Sequence, residues 1–182
     1  MNSRVYQSKL LIAEGLFRLL EKDAFEELTI SEICAEAQVS RNTFYRHFHG
    51  KKMIVEFFIK NLLRDYFTKV KEAAIKDFPT LLTFYFRFWR EQSYYVNLLK
   101  KQHLLGLVFD IERTYFSNML PTSQLPWHNQ VDCSEKFVDL LVIGGMWNIL
   151  LYWFDCDLNP SADVLAQRVL EELHFYSRFM SK

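Results

Sequence analysis

Residues 28–52, LTISEICAEAQVSRNTFYRHFHGKK, constrain the fold more than any other stretch, because their punctuation admits two short helices joined by a tight turn. Thr29 is a good N-cap, and Glu32 three residues on completes a capping box that starts a helix near Ile30. Ile30, Ile33, Cys34 and Ala37 recur at 3–4 spacing and give that helix one apolar face. Gln38-Val39-Ser40 interrupts the pattern, and Ser40 can cap the next helix. There Phe44 and Phe48, four apart, turn toward a core. At about 100° per residue, Asn42, Thr43 and Arg46 fall on the other side, with Tyr45 and His47 on the flanks. The outward face is polar and hydrogen-bonding, as a helix that reads base edges in a major groove requires.

A solvated helix in an ordinary bundle would show the same periodicity, so charge has to decide. From Arg41 to Lys52 the chain carries Arg41, Arg46, Lys51, Lys52 and two histidines, and no acidic residue. A one-signed run on a base-reading helix points to nucleic acid. Lys51 and Lys52 open a long helix over residues 51–76, where the helix dipole disfavours cations; facing a phosphate would explain them.

The run TISEICAEAQVSRNTFYRHF, followed by Gly50 and Lys51, resembles the helix-turn-helix signature of TetR-type transcriptional regulators over roughly residues 9–58. One departure is Gln38, where that family usually has Gly in the turn; a positive φ there would strain glutamine. The resemblance implies Thr29, Tyr45, His47 and Lys51 as DNA-backbone contacts, with Arg41, Asn42, Thr43 and Arg46 nearest the bases. Residues 144–161 look, more loosely, like the last two helices of such proteins, which pair with their twins in a four-helix dimer interface. This implies Gly144, Trp147, Leu151, Leu165, Val169, Leu173 and Tyr176 as interface residues. It also implies an inducer pocket among the fourth to eighth helices.

Only five Gly and four Pro in 182 residues leave few turns, so the elements must be long, and the expected class is all-α. About nine helices are expected: a helix-turn-helix head over residues 1–50 and a larger helical regulatory and dimerisation body over 51–182. The first helix should cover residues 3–21, with Gly15 marking close packing. Later helices are expected at 81–90, 93–101, 103–118, 134–154 and 161–180, and a loop at 118–132. Lys plus Arg equals Asp plus Glu at 22 each, so total charge says nothing about partners. Residues 1–76, however, carry 13 basic and 10 acidic side chains, a mild polarity that suits a head facing phosphate.

Residues 77–182 hold 20 of the 30 aromatics, including every Trp. They either fill a helical core or partly line a cavity for an apolar or aromatic ligand. For the second reading the residues are Tyr85, Trp89, Tyr94, Tyr95, His103, Tyr115 and Trp147. Gly144-Gly145 suggests close backbone approach, and the apolar stretch 140–154 reads as a buried helix too short to span a membrane.

No Gly-rich phosphate loop, HExxH, GxSxG or Cys/His metal spacing occurs, so neither an enzyme nor a cofactor or metal is expected. Cys34, Cys133 and Cys156 form no CxxC, and the N-terminus lacks a signal-peptide pattern, so a reduced cytoplasmic setting is the expectation. The function expected is a homodimeric, sequence-specific DNA-binding regulator, a repressor released by a small apolar or aromatic ligand, on a palindromic operator. The alternative is a dimeric helical adaptor acting through a protein partner.

Overall fold

The computed structural model describes residues 3–119 and 135–180. Among the described residues there are nine α-helices and no strand: α1 (Ser3–Leu20), α2 (Ile30–Glu36), α3 (Arg41–His47), α4 (Lys51–Glu72), α5 (Phe78–Glu91), α6 (Ser93–Lys101), α7 (Leu105–Met119), α8 (Glu135–Asp155) and α9 (Ala162–Met180). The expected loop at 118–132, the Ser134 cap and Cys133 lie outside the described residues.

The chain divides into two compact units, and the division differs from a cut at residue 50. The first joins Met1–Arg64 to Leu98–Glu112; the second joins Asp65–Asn97 to Arg113–Lys182. Within the first unit Gln102, just beyond α6, ties the later segment to the α1–α2 connection. Its amide donates to Leu20 O (2.6 Å) and Asp23 O (3.0 Å) while its carbonyl accepts from Phe25 N (2.8 Å). Polar bonds between residues about eighty apart leave no periodic trace in a sequence.

In the first unit Ile12, Leu16, Leu20, Phe25, Ile33, Phe44, Phe48, Ile54 and Ile59 are all buried. Phe17 and Phe58 bring α1 against α4 at 4.2 Å between ring centroids. Gly15 lets α1 come close to the end of α2, because a Cβ there would stand 3.0 Å from Ala37 Cβ and 3.1 Å from Ala37 N, tighter than an ordinary contact. Glu112 is buried, and its Oε1 has no hydrogen-bond partner among the described residues. Burial pushes its carboxyl up to about 8, so it is protonated at neutral pH. Its contribution to stability is complete below the unfolded value of 4.5 and is lost as pH rises through about 8.

In the second unit α5 starts earlier than its apolar run suggests. Asp77 caps it, accepting from Thr80 N (2.8 Å) and Thr80 Oγ1 (2.9 Å), and Pro79 occupies the first turn, where its missing N–H costs nothing. α5 packs on α9, and Arg87 pairs with Asp163 at 2.7 Å. Phe86 meets Trp153 at 5.7 Å, and the Trp153 indole donates to Pro160 O at 2.7 Å.

With so few glycines, other residues must end the helices in the left-handed region. Gln38 (φ 54°), Ala74 (φ 50°) and His103 (φ 56°) each follow a helix, and none of the described glycines has a positive φ. Gln38 N donates to Ala35 O and Val39 N to Cys34 O, the paired bonds of a Schellman close. The anticipated strain at Gln38 is therefore present, at a cost of about 1–2 kcal/mol. His103 sits in the same conformation after α6, so it is exposed in a turn rather than inside the seventh helix, which begins at Leu105.

α8 departs most from expectation. Asp139, Ile143, Trp147, Leu150 and Phe154 form a buried stripe. Phe137, Leu141, Gly145, Asn148 and Tyr152 form an exposed one on the opposite side, with Leu141 75% exposed. Phe137–Asp155 is only one-third buried and is long and apolar enough, by length and composition, to cross a membrane. The reading of residues 140–154 as a buried helix too short to span is thus corrected. Gly144 and Gly145 would meet nothing within 4 Å among the described residues if each bore a Cβ, so they serve no close approach there.

Candidate nucleic-acid interface

α3 is short and held at both ends. Ser40 Oγ accepts from Thr43 N (3.1 Å), and at the far end Phe48 N donates to Phe44 O (2.8 Å). Phe44 is 0% exposed and packs against Phe48 at 6.0 Å, which in turn meets Phe57 of α4 at 5.7 Å. These rings fix the rotation of α3 about its axis. Arg41, Asn42, Tyr45 and Arg46 are left exposed, with Thr43 and His47 half-buried. Thr43 shares a hydroxyl contact with Ser40 (2.9 Å) and accepts from Arg46 Nη2 (3.3 Å), so Arg46 leans back along its own helix.

Thr29 carries out its cap in full: its hydroxyl accepts from Glu32 N (3.2 Å) and donates to Glu32 Oε2 (2.7 Å), while Thr29 N donates to the same carboxylate (2.8 Å). The hydroxyl and amide of Thr29 hold the Glu32 carboxyl below its ordinary value. Burial, then Arg46 and Lys9, holds the His47 imidazole below its ordinary value, so it is mostly neutral at pH 7. Cys34 is buried behind the turn, which raises its thiol pKa.

Lys51 has another occupation than the phosphate contact read from its place at a helix start. Its ammonium donates to three carbonyl oxygens, those of Phe25, Glu26 (2.7 Å) and Leu28 (3.1 Å), and lies 4.9 Å from the Phe25 ring centroid. An ammonium has three donors, and three carbonyls use them. Lys51 therefore clamps the α1–α2 connection to the start of α4. Lys51→Met should destabilise the first unit by about 2–3 kcal/mol, since a hydrogen bond to a charged group is worth about 1.5–3 kcal/mol and the three share one half-exposed ammonium that water also solvates. The check is thermal melting, together with an unchanged salt dependence of any DNA binding by the folded fraction.

Lys9 of α1 was not legible as part of this surface. Its ammonium stands 5.6 Å from the centroids of both Phe48 and Phe57. No local pattern links residue 9 to residue 48.

The pocket residues proposed from sequence differ in burial. Tyr85 and Trp89 are buried core, Tyr85 packing against Tyr66 (6.1 Å) and Trp89 (6.3 Å). Tyr94 is half-exposed beside Tyr95 (5.0 Å), and Tyr115 stacks on Phe67 at 6.1 Å. Trp147 is buried in the inner stripe of α8. A cleft of about 480 Å³ lined by Lys69, Glu72, Ala73, Phe84, Arg87, Phe88 and Glu91 contains none of the seven. Among the described residues no group of three His, Cys, Asp or Glu is placed to hold a metal ion.

Of the residues expected at an interface, Trp147 faces inward, Gly144, Leu151, Leu165 and Val169 are half-exposed, and Leu173 is exposed. The Tyr176 side chain lies outside the described residues. Phe137, Leu141 and Tyr152 are the most exposed apolar side chains of α8, and their exposure was not legible because α8 is apolar on both sides and periodicity could not choose between them.

Residues 12–56 match the family of "Bacterial regulatory proteins, tetR family". The chain is 23% identical to "Uncharacterized HTH-type transcriptional regulator YerO" of Bacillus subtilis (strain 168), over 92% of this chain and 63% of that protein. It thus spans somewhat under two-thirds of that relative's length. Its fold is similar to the crystal structure of a TetR transcriptional regulator from Streptococcus agalactiae 2603V, with a TM-score of 0.63 and 16% identity over 93% of this chain and 94% of that one.

Proposed function

We propose, from the premise that this chain belongs to the tetR family of bacterial regulatory proteins and is a transcriptional regulator, that it binds a palindromic operator as a homodimer. α3 enters the major groove of each half-site. Asn42 and Arg46, with Arg41 and Thr43, lie nearest the bases; Thr29, Tyr45 and His47 lie along the backbone. One observation carries this reading: Phe44 and Phe48 are sunk in the core while Asn42 and Arg46 stand exposed on a helix with no acidic residue.

The two subunits associate through the outer stripe of α8, with Leu165, Val169 and Leu173 of α9. They set their recognition helices about 34–36 Å apart, one turn of DNA. The regulator acts as a repressor, and a small apolar or aromatic ligand releases it by binding one subunit arrangement more tightly than the other. The setting is the cytoplasm.

Selection of bound fragments from a random duplex pool tests DNA recognition and two-fold symmetry together. Asn can pair with adenine and Arg with guanine through two hydrogen bonds each, worth about 1–3 kcal/mol of discrimination per pair. Asn42→Ala and Arg46→Ala should keep the wild-type melting temperature and relax preference at particular operator positions. If both keep the full wild-type preference, α3 is not the reader. An adaptor for a protein partner is the second reading, favoured by the exposed apolar side chains Phe137 and Tyr152. It predicts equal heparin retention for wild type and Arg46→Glu.

A further inference from the structure

Among the basic side chains of the first unit, several are already neutralised. Arg18 is paired with Glu36 and Lys60 with Glu56, Lys51 is spent on three carbonyls, and Lys101 donates to Glu21 O at 3.3 Å. Lys9, Arg46 and His47 are different. None of the three is paired with a carboxylate among the described residues. The positive charges of Arg46 and Lys9 nevertheless both reach the His47 ring and help to hold it neutral.

Two helices far apart in sequence create this cluster. Phe48 ends α3 in an extended conformation, and its ring lies 5.7 Å from that of Phe57. The Lys9 ammonium rests over both rings at 5.6 Å, so an α1 side chain is held at the C-terminal end of α3. A cation over two aromatic faces is attracted there and loses little further freedom when it meets an anion. Cations gathered without a counter-ion repel one another, and the group that relieves them is an anion bound from outside.

We propose that Lys9 is a DNA-contacting residue that completes, with His47, a cradle for one backbone phosphate at the end of α3. The inference rests on the DNA-binding reading above, because it assigns the anion to the duplex that α3 enters. On binding, the phosphate offsets the repulsion from Lys9 and Arg46, and His47 takes up a proton to become a second donor. The cradle positions the helix and carries no sequence information. A purely structural lysine at a helix C-terminus would instead add stability through the dipole and leave DNA binding unchanged once folded.

The experiment compares wild type with Lys9→Met, which keeps the apolar stem over the rings, and with Lys9→Arg, which keeps the charge. Affinity for the selected duplex is followed by fluorescence anisotropy across a salt series. Each neutralised phosphate contributes about 0.9 to the slope of log affinity against log salt, and His47 stays on the same phosphate, so Lys9→Met should lower its magnitude by up to about 0.9 per subunit. Sequence preference should not change, and Lys9→Arg should restore the slope. Independently of DNA, the His47 imidazole followed by NMR should titrate at higher pH in Lys9→Met. An unchanged slope in a variant that still binds overturns the cradle while leaving the DNA reading intact. An unmoved His47 titration overturns it as well. Wild-type protein that binds no duplex overturns both readings.

Discussion

Leu141→Asp should convert a dimer into folded monomers and remove operator binding while leaving the recognition surface untouched. Leu141 is 75% exposed, with Phe137 (67%) one turn before it and Tyr152 (69%) further along the same face of α8. Apolar side chains aligned in this way on one helix mark a surface that is covered in the working protein. In a lone subunit an aspartate there points into water and costs little. Across a two-fold interface every residue occurs twice, so the substitution buries two unpaired carboxylates. Each costs several kcal/mol, and each 1.4 kcal/mol is tenfold, so dimer affinity should fall by about four orders of magnitude or more. Sedimentation velocity at micromolar concentration checks the mass, and circular dichroism checks that the helices remain. A wild-type monomer, or a Leu141→Asp dimer, would remove this face from the interface. Co-sedimentation of wild type with lipid vesicles would instead assign the face to a bilayer.

Phe44→Ala should be the most damaging single change in the head. The ring is fully buried and touches Tyr45 (5.4 Å) and Phe48 (6.0 Å), and it is the one buried residue within α3. A seven-residue helix has no stability of its own in water, so its packing has to supply it. Removing a buried Phe costs about 3–5 kcal/mol, against roughly 5–15 kcal/mol for a whole domain. The melting temperature should drop by roughly 10 °C, given about 2–4 °C per kcal/mol at this size. Operator binding should then weaken on all sequences together, unlike the positional loss expected for Asn42→Ala. A Phe44→Ala protein that melts like wild type would mean that α3 does not depend on this contact.

What the chain determined by itself is what neighbouring residues decide. The capping box of Thr29 and Glu32, the Ser40 cap, the inward turn of Phe44 and Phe48 and the limits of α6 all depend on contacts within about four residues, and all were legible. The left-handed strain at Gln38 was anticipated only through the resemblance, from the Gly that such proteins usually have in that turn, and φ is 54° there. The tertiary structure decided what depends on partners distant in the chain. Lys51 looked like a phosphate contact because only its own helix was visible; the carbonyls of Phe25, Glu26 and Leu28, more than twenty residues away, take its donors instead. Lys9 showed no link to α3 until folding stacked it on Phe48 and Phe57. Trp147 and Leu141 are equally apolar, and on a helix apolar all round no periodicity says which one faces in. Only the packing of the second unit buries Trp147 and leaves Leu141 outside, because burial is a property of the neighbours a side chain meets and not of the side chain alone.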